Sequence, residues 1–327
     1  MTKEGADAPH YQCVPNFSTS DPDSVARIAE AITNTPGARL VDWSADIDHN
    51  RCVMTILGGA EAVLAASFAG AEQAMCLIDL QAHTGVHPRT GALDVLPFVP
   101  LRNANRADVI TLAHRSGQAL AERLALPVYF YEWAARPGRN GALPALRRGG
   151  FEAFASLPLI GVRAPDIAPK IQDNSPNQEL RSGANTTQEN AAYAHPTAGI
   201  AIVGARAPLV AYNINLNTPD VEIARRIARL IRTERERLPE LAGVRALGLY
   251  LASQNRAQVS MNLTCPDETP LPAVFHFVSE AAARLGAVAM ESEIIGVIPL
   301  QSLGGELPDN FHWHTYKPTQ LLETWLE

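Results

Sequence analysis

Several absences narrow the possibilities before any motif is read. No segment of the 327-residue chain approaches the ~20 consecutive apolar residues that cross a bilayer, so a helical membrane protein is not expected. The opening residues, Met1 to Asp7, lack the apolar stretch of a secretory leader. There is no Cys-x-x-Cys pair. Cys13, Cys52, Cys76 and Cys265 are widely separated, which suggests neither a zinc knuckle nor a disulfide framework and fits a reducing, cytoplasmic setting. Basic charge is short as well: 27 Lys and Arg face 34 Asp and Glu, a formal net charge of -7. That balance leaves no overall electrostatic footprint for nucleic acid, and no membrane partner is expected.

What is present is ordinary globular material, 46% hydrophobic and 19% charged. The length exceeds the usual single domain, so two core-bearing units are expected. Asp21-Pro22 followed by Val25, Ile28 and Ile32 reads as a capped amphipathic helix ending near Pro36-Gly37. Strand candidates follow at Leu40-Val41 and Cys52–Leu57, then a helix over about 60–76, another over 107–124, and a buried strand at Pro127–Tyr131. Such alternation implies an α/β (α+β) class. From about 171 to 194 the chain turns polar with no apolar period, which suggests a mobile junction loop. Later come strand candidates at 199–204 and 209–216, a helix from Pro219 to about Arg237, strands near 244–251 and 257–263, a helix near 271–285 and a strand near 287–290. That order suits a ferredoxin-like split βαβ unit.

The densest chemistry lies in Ile78–Asp94, where two His, one Arg, two Asp and two Gly fall between apolar segments. His83 and His87 stand four apart, the spacing of two zinc ligands on one helix face. Gly85 and Pro88 oppose a helix there and no Glu follows His83, so no metal is assigned. His87 has two readings: a hydrogen-bonded loop histidine with Arg89 pairing Asp94, or a proton shuttle whose imidazole titrates near neutrality. A second cluster, Asp42–Arg51, reads either as an acidic turn or as a carboxylate-binding Arg51 whose fork is held by Asp46 or Asp48. Asn213, Asn215 and Asn262 fall in strand candidates where asparagine is depleted. They suit amides aimed at a polar ligand or simple capping of strand edges. The tail Asn310–His314 mixes aromatics with imidazoles and reads as a packed appendage without a role.

Together, certain segments resemble the formiminotransferase domain. They are Cys13–Ser18, the His87-Pro88-Arg89 loop continuing to Pro97–Pro100, Gly204-Ala205-Arg206 leading into Asn213–Leu216, Ala257–Leu263 and Ser292–Leu300. The likeness runs in order from about residue 11 to 303. It implies two ferredoxin-like subdomains, 10–168 and 197–305, separated by a junction segment at 169–196 and followed by an extension at 306–327. It also implies a homodimer and transfer of the formimino group from N-formimino-L-glutamate to tetrahydrofolate, with no cyclodeaminase domain following. By that likeness His87 is the general acid/base, with Asp94 as the carboxylate that stabilises its imidazolium. Arg51, Arg89 and Arg206 are candidates for substrate carboxylates, Asp46 supporting the first. Asn16, Pro165, Asp166, Ile167, Ala168, Pro169, Asn213, Asn215 and Asn262 are candidates for folate contact.

Two departures stand out. The family segment Pro-Asp-Phe-Gly-Pro appears here as Pro165–Pro169 with Ile167 and Ala168 inside, removing an aromatic that packs on a pterin, and a polar insertion follows it. The usual Asp-x-Asp pattern before the arginine is replaced by Asp42-Trp43-Ser44, with Asp46–Arg51 resembling a bacterial variant. A different one-carbon donor or amine acceptor, and a non-catalytic folate-binding protein, therefore remain alternatives.

Overall fold

The computed structural model describes residues 8–169 and 192–326. The expected junction loop falls, over 171–191, outside the described residues. Contacts divide the chain into two compact units: residues up to 40, 49–52 and 56–206 in the first, and 41–48, 53–55 and 207 onward in the second.

In the first unit a side-chain cap opens two of the three long helices. Asp21 accepts the Ser24 amide at 2.9 Å and Pro22 pre-sets the first turn of α1 (Pro22–Thr33), whose Val25, Ile28 and Ile32 are buried. Strands β1 (Tyr11–Cys13) and β2 (Asn16–Phe17) precede it, and β3 (Ala38–Asp46) and β4 (Arg51–Gly58), whose residues 41–46 and 53–55 group by contacts with the second unit, follow, joined by Asn50 in the left-handed region at φ 45°. Next come α2 (Ala60–Leu77) and β5 (Leu93–Pro100). In the sheet β5 pairs antiparallel with β1 and β2, β1 with β4, and β4 with β3. With β1 and β2 taken as one interrupted strand, this is the β-α-β-β-α-β ferredoxin-like order.

The first sheet then grows beyond that plan. Helix α3 (Arg106–Leu124), opened by an Asn105/Asp108 capping box, leads to β6 (Val128–Glu132), the short helices α4 (Leu143–Leu146) and α5 (Gly150–Ala155), and β7 (Ala201–Ala205). Strand β7 lies between β5 and β6 and is parallel to both, with Val95 opposite Ile202 and Val128 opposite Ala201. The expected start of the second subdomain at 197 is thus displaced: the strand read at 199–204 belongs to the first sheet, and the division falls after Arg206. The physical reason is visible in β7 itself, where all five residues are buried, as in a parallel strand covered on both faces.

The second unit contains β8 (Val210–Leu216), α6 (Val221–Glu234), β9 (Val244–Leu251), β10 (Arg256–Leu263), α7 (Leu271–Arg284) and β11 (Ala289–Ile295). Its four-stranded sheet has the order β11-β8-β10-β9, every neighbouring pair antiparallel, which is again ferredoxin-like. The last strand runs to Ile295, five residues past the expected end. Ile227 and Ile231 of α6 and Val274 and Val278 of α7 pack with Tyr212, Ile214 and Val259 in one core. The C-terminal extension joins that core: Phe311 and Trp313 are fully buried, and Ile298 pairs in parallel with Leu321. No helix among the described residues is long and apolar enough to cross a membrane.

Candidate active site

The first unit gathers its polar chemistry at the ends of β2, β4 and β5. Arg51 opens β4 and Asp94 is the second residue of β5. Arg51 Nη1 donates to Asp94 Oδ2 at 2.7 Å, and its Nη2 donates to Asn16 Oδ1 at 2.7 Å. Asp94 also accepts from Arg147, just past α4, while its Oδ1 takes the Thr90 amide at 2.9 Å and the Thr90 hydroxyl at 3.0 Å. The Asp94 side chain has no solvent exposure, and those of Arg51 and Arg147 retain 11% and 12%. Burial by itself would raise the Asp94 pKa. Arg147 and Arg51 outweigh it and hold the carboxyl well below the usual carboxylate range.

His87 stands beside this group on the loop 83–91, half-buried. Its Nδ1 lies 2.7 Å from the Pro88 carbonyl oxygen and 3.2 Å from Arg51 Nη1. A carbonyl oxygen accepts only, so the shorter contact selects the Nδ1–H tautomer and leaves the Nε2 lone pair free of that bond. Burial first, then the Arg51 and Arg147 charges, push the imidazole pKa down to about 2, against the pull of Asp94. The His49 ring lies 5.9 Å away.

The candidates separate clearly. His87, Asp94, Arg51 and Asn16 come together. Asp94 does not touch His87 through a hydrogen bond; it anchors Arg51 and Arg147 instead. The ion pair of Arg51 is with Asp94 rather than with Asp46 or Asp48, because Asp94 arrives from the neighbouring part of the sheet while Asp48 accepts Ser253 N and Oγ at 3.0 and 2.6 Å. Arg89 does not pair with Asp94 either. It reaches Glu152 at 2.8 Å and the His83 carbonyl at 3.1 Å. Arg206 follows β7, deeply buried, where burial lowers its pKa and the Tyr131 hydroxyl is its partner. Tyr131 in turn feels both Arg206 and Arg147.

The Pro165–Pro169 segment is bound to the edge of β6. Asp166 N and Ile167 N donate to the Val128 carbonyl at 2.8 and 3.1 Å, and Val128 N returns a bond to Ile167 O at 3.0 Å. The Asp166 carboxylate is buried and taken up by Phe130 N at 2.7 Å and Arg139 Nε at 3.3 Å. Asp166 therefore holds structure, and Ala168 is the exposed member of the segment.

In the second unit the sheet face opposite the α6 and α7 core carries a polar network. Asn213 donates to Glu293 at 2.9 Å, Asn215 to Glu291 at 2.9 Å, and Gln258 to Asn215 at 2.9 Å. Gln258 is fully buried, yet among the described residues its Oε1 has no hydrogen-bond partner. Asn262 is exposed on β10. Among the described residues no group of three or more His, Cys, Asp and Glu is arranged to hold a metal ion.

Sequence reasoning assigned no role to Arg147 or Asn50. Arg147 sits 53 residues from Asp94. Its only local signal is the run Arg147-Arg148-Gly149-Gly150, whose glycines at φ 86° and 63° make the turn that follows it.

Residues 10–206 match the N-terminal subdomain of the formiminotransferase domain, and residues 211–306 match the formiminotransferase domain. The chain is 37% identical over 296 residues to the Glutamate formimidoyltransferase of Thermoplasma acidophilum, covering 89% of each protein. It is 33% identical over 294 residues to the Glutamate formimidoyltransferase of Streptococcus pyogenes, covering 89% of this chain and 90% of that protein. Against the Formimidoyltransferase-cyclodeaminase of Gallus gallus it is 37% identical over 296 residues, but spans half that protein's length. With both subdomain matches in order over nearly the whole chain, it belongs to the formiminotransferase family.

Proposed function

We propose that this chain transfers the formimino group of N-formimino-L-glutamate to N5 of tetrahydrofolate, with His87 as the group that moves the proton. The observation that carries this reading is the charge arrangement beside His87: two buried guanidiniums share one buried carboxylate. One positive charge is left over, inside a chain whose net charge is -7. A buried surplus charge is costly unless an anion meets it, and a planar guanidinium meets a carboxylate through paired hydrogen bonds. A donor carboxylate fills that role.

Tetrahydrofolate supplies N5 as the nucleophile. Expulsion of glutamate requires its departing nitrogen to gain a proton while the attacking nitrogen loses one. His87 Nε2 accepts the second proton and delivers the first, and the Nδ1 bond to Pro88 O fixes the ring for both steps. Burial first, with the Arg51 and Arg147 charges adding to it, keeps the imidazole neutral. A carboxylate on those guanidiniums offsets their repulsion and raises the proton affinity of His87, so base strength arrives together with the donor.

On the second sheet, the proposed folate contacts are Asn213, Asn215 and Asn262, beside the unmatched Gln258 Oε1, an acceptor suited to a pterin amino or ring N–H. In the first unit the candidates are Asn16 and the Pro165–Pro169 segment apart from the buried Asp166, with Ala168 its solvent-facing member. The test is direct. Purified protein given formiminoglutamate and tetrahydrofolate forms 5-formiminotetrahydrofolate, followed spectroscopically. No product would remove the assignment, and a better donor in an amidine panel would move it to a different substrate.

A further inference from the structure

The β3–β4 turn and the His87 loop are joined by one side chain that no part of the proposed chemistry uses. Asn50 Oδ1 accepts Ser20 N at 2.9 Å and Ser20 Oγ at 3.1 Å, while its Nδ2 donates to the Thr84 carbonyl at 2.8 Å. The Asn50 carbonyl receives His83 Nε2 at 2.9 Å. Three segments of the first unit, at 20, 50 and 83–84, therefore meet at this residue. Its backbone sits at φ 45°, a conformation that asparagine tolerates far better than most residues. Packing is close as well: a Cβ added to Gly85 would stand 2.6 Å from His49 O and 2.9 Å from Asn50 Cβ.

The covalent neighbour of Asn50 is Arg51, which touches Asp94, Asn16 and His87; three residues beyond Thr84 comes His87 itself. We infer that Asn50 is a positioning residue, whose amide clamps the His87 loop to the turn that launches Arg51 and so sets the separation of the imidazole and the guanidinium. The inference rests on the proposed transfer reaction for its kinetic consequence, but the clamp itself is a property of the loop. Exposed loops without such a tie sample many positions, and a misplacement of about 1 Å costs on the order of 100-fold in rate. Asn50 acts through His87 and Arg51.

Two substitutions separate the side chain from the backbone it occupies. Asn50→Gly keeps the left-handed turn and removes every side-chain bond. Asn50→Asp keeps the acceptor for Ser20, replaces the donor to Thr84 by a carboxylate oxygen and adds a negative charge next to Arg51, so its exchange readout, rather than its kcat, reports that bond should the glycine variant not fold. Both are compared with wild type by steady-state kinetics, urea unfolding and amide hydrogen exchange resolved to the 83–87 peptide. The expected result is a kcat lowered about 10- to 100-fold with donor KM within about 3-fold, and exchange in 83–87 accelerated while β5 stays protected. Ser20→Ala, which leaves the Thr84 bond intact, retains most of the kcat. Unchanged kcat and unchanged exchange in a folded variant would overturn the clamp. If wild type proves inactive toward formiminoglutamate, the exchange readout still decides the clamp, so the two failures are told apart.

Discussion

Asp94 receives more bonds than any other side chain of the site: two guanidiniums on one oxygen, an amide and a hydroxyl on the other. With all of its acceptor capacity used and no exposure, its loss leaves Arg51 and Arg147 buried against each other. Asp94→Asn is expected to cost about 3–5 kcal/mol, the usual penalty for breaking a buried ion pair from one side. Urea unfolding measures it, and Asp94→Asn combined with Arg147→Met should recover part of the loss. His87 makes a kinetic and an equilibrium prediction. His87→Asn should lower kcat by about 10²–10⁴ without disturbing the fold. The imidazole, held at about 2 in the folded chain, returns to about 6.5 when unfolded, so the unfolded state binds the extra proton and stability falls as pH drops below about 6.5. Asp94, depressed in the fold, loses its contribution only below about pH 4, its unfolded value. Denaturation at pH 7 and pH 5 therefore isolates the histidines, and His87→Asn should lose less stability across that interval than wild type. Equal losses would mean that the ring is solvated and charged in the folded protein.

At the scale of elements, close backbone approaches decide where the helices and loops can lie. Gly248 in β9 faces α6 so tightly that an added Cβ would stand 2.3 Å from Arg225 N. Backbone cannot swing aside as a side chain can, so Gly248→Ala should destabilise the chain by about 1–3 kcal/mol, seen as a lower urea midpoint. The base of the His87 loop shows the same logic. Gly91 bridges Gly199, and a Cβ on Gly91 would meet Ile200 O at 1.9 Å. Elements with strong local signals were legible from sequence: the Asp21 cap with its apolar face, the arginine-studded amphipathic α6, and the β9–β10 pair all lie where periodicity placed them, within a few residues. Strands β1, β2 and β5 were not. They are short or carry Pro97 and Pro100, and no period-2 pattern survives in strands buried along nearly their whole length.

For the whole molecule, two ferredoxin-like units account for both halves of the chain, the first enlarged by the parallel pair β7 and β6. A homodimer remains a proposal, and light scattering should return twice the mass of one chain; a monomer at assay concentration would remove it. The His87 loop of the candidate site was visible in the sequence, because His87-Pro88-Arg89 is contiguous and its residue types carry chemistry on their own. Sequence alone determined the class of fold, the order of most helices and strands, the family likeness and the loop that holds His87, since each rests on neighbours in the chain. Only the tertiary structure decided that β7 completes the first sheet, that Arg51 pairs with Asp94 rather than with the nearby Asp46, that Arg89 turns to Glu152, and that Arg147 belongs beside His87. Those choices join residues 43 to more than 100 positions apart. Local propensity does not encode them; they follow from which buried charges can be satisfied once the strands are packed.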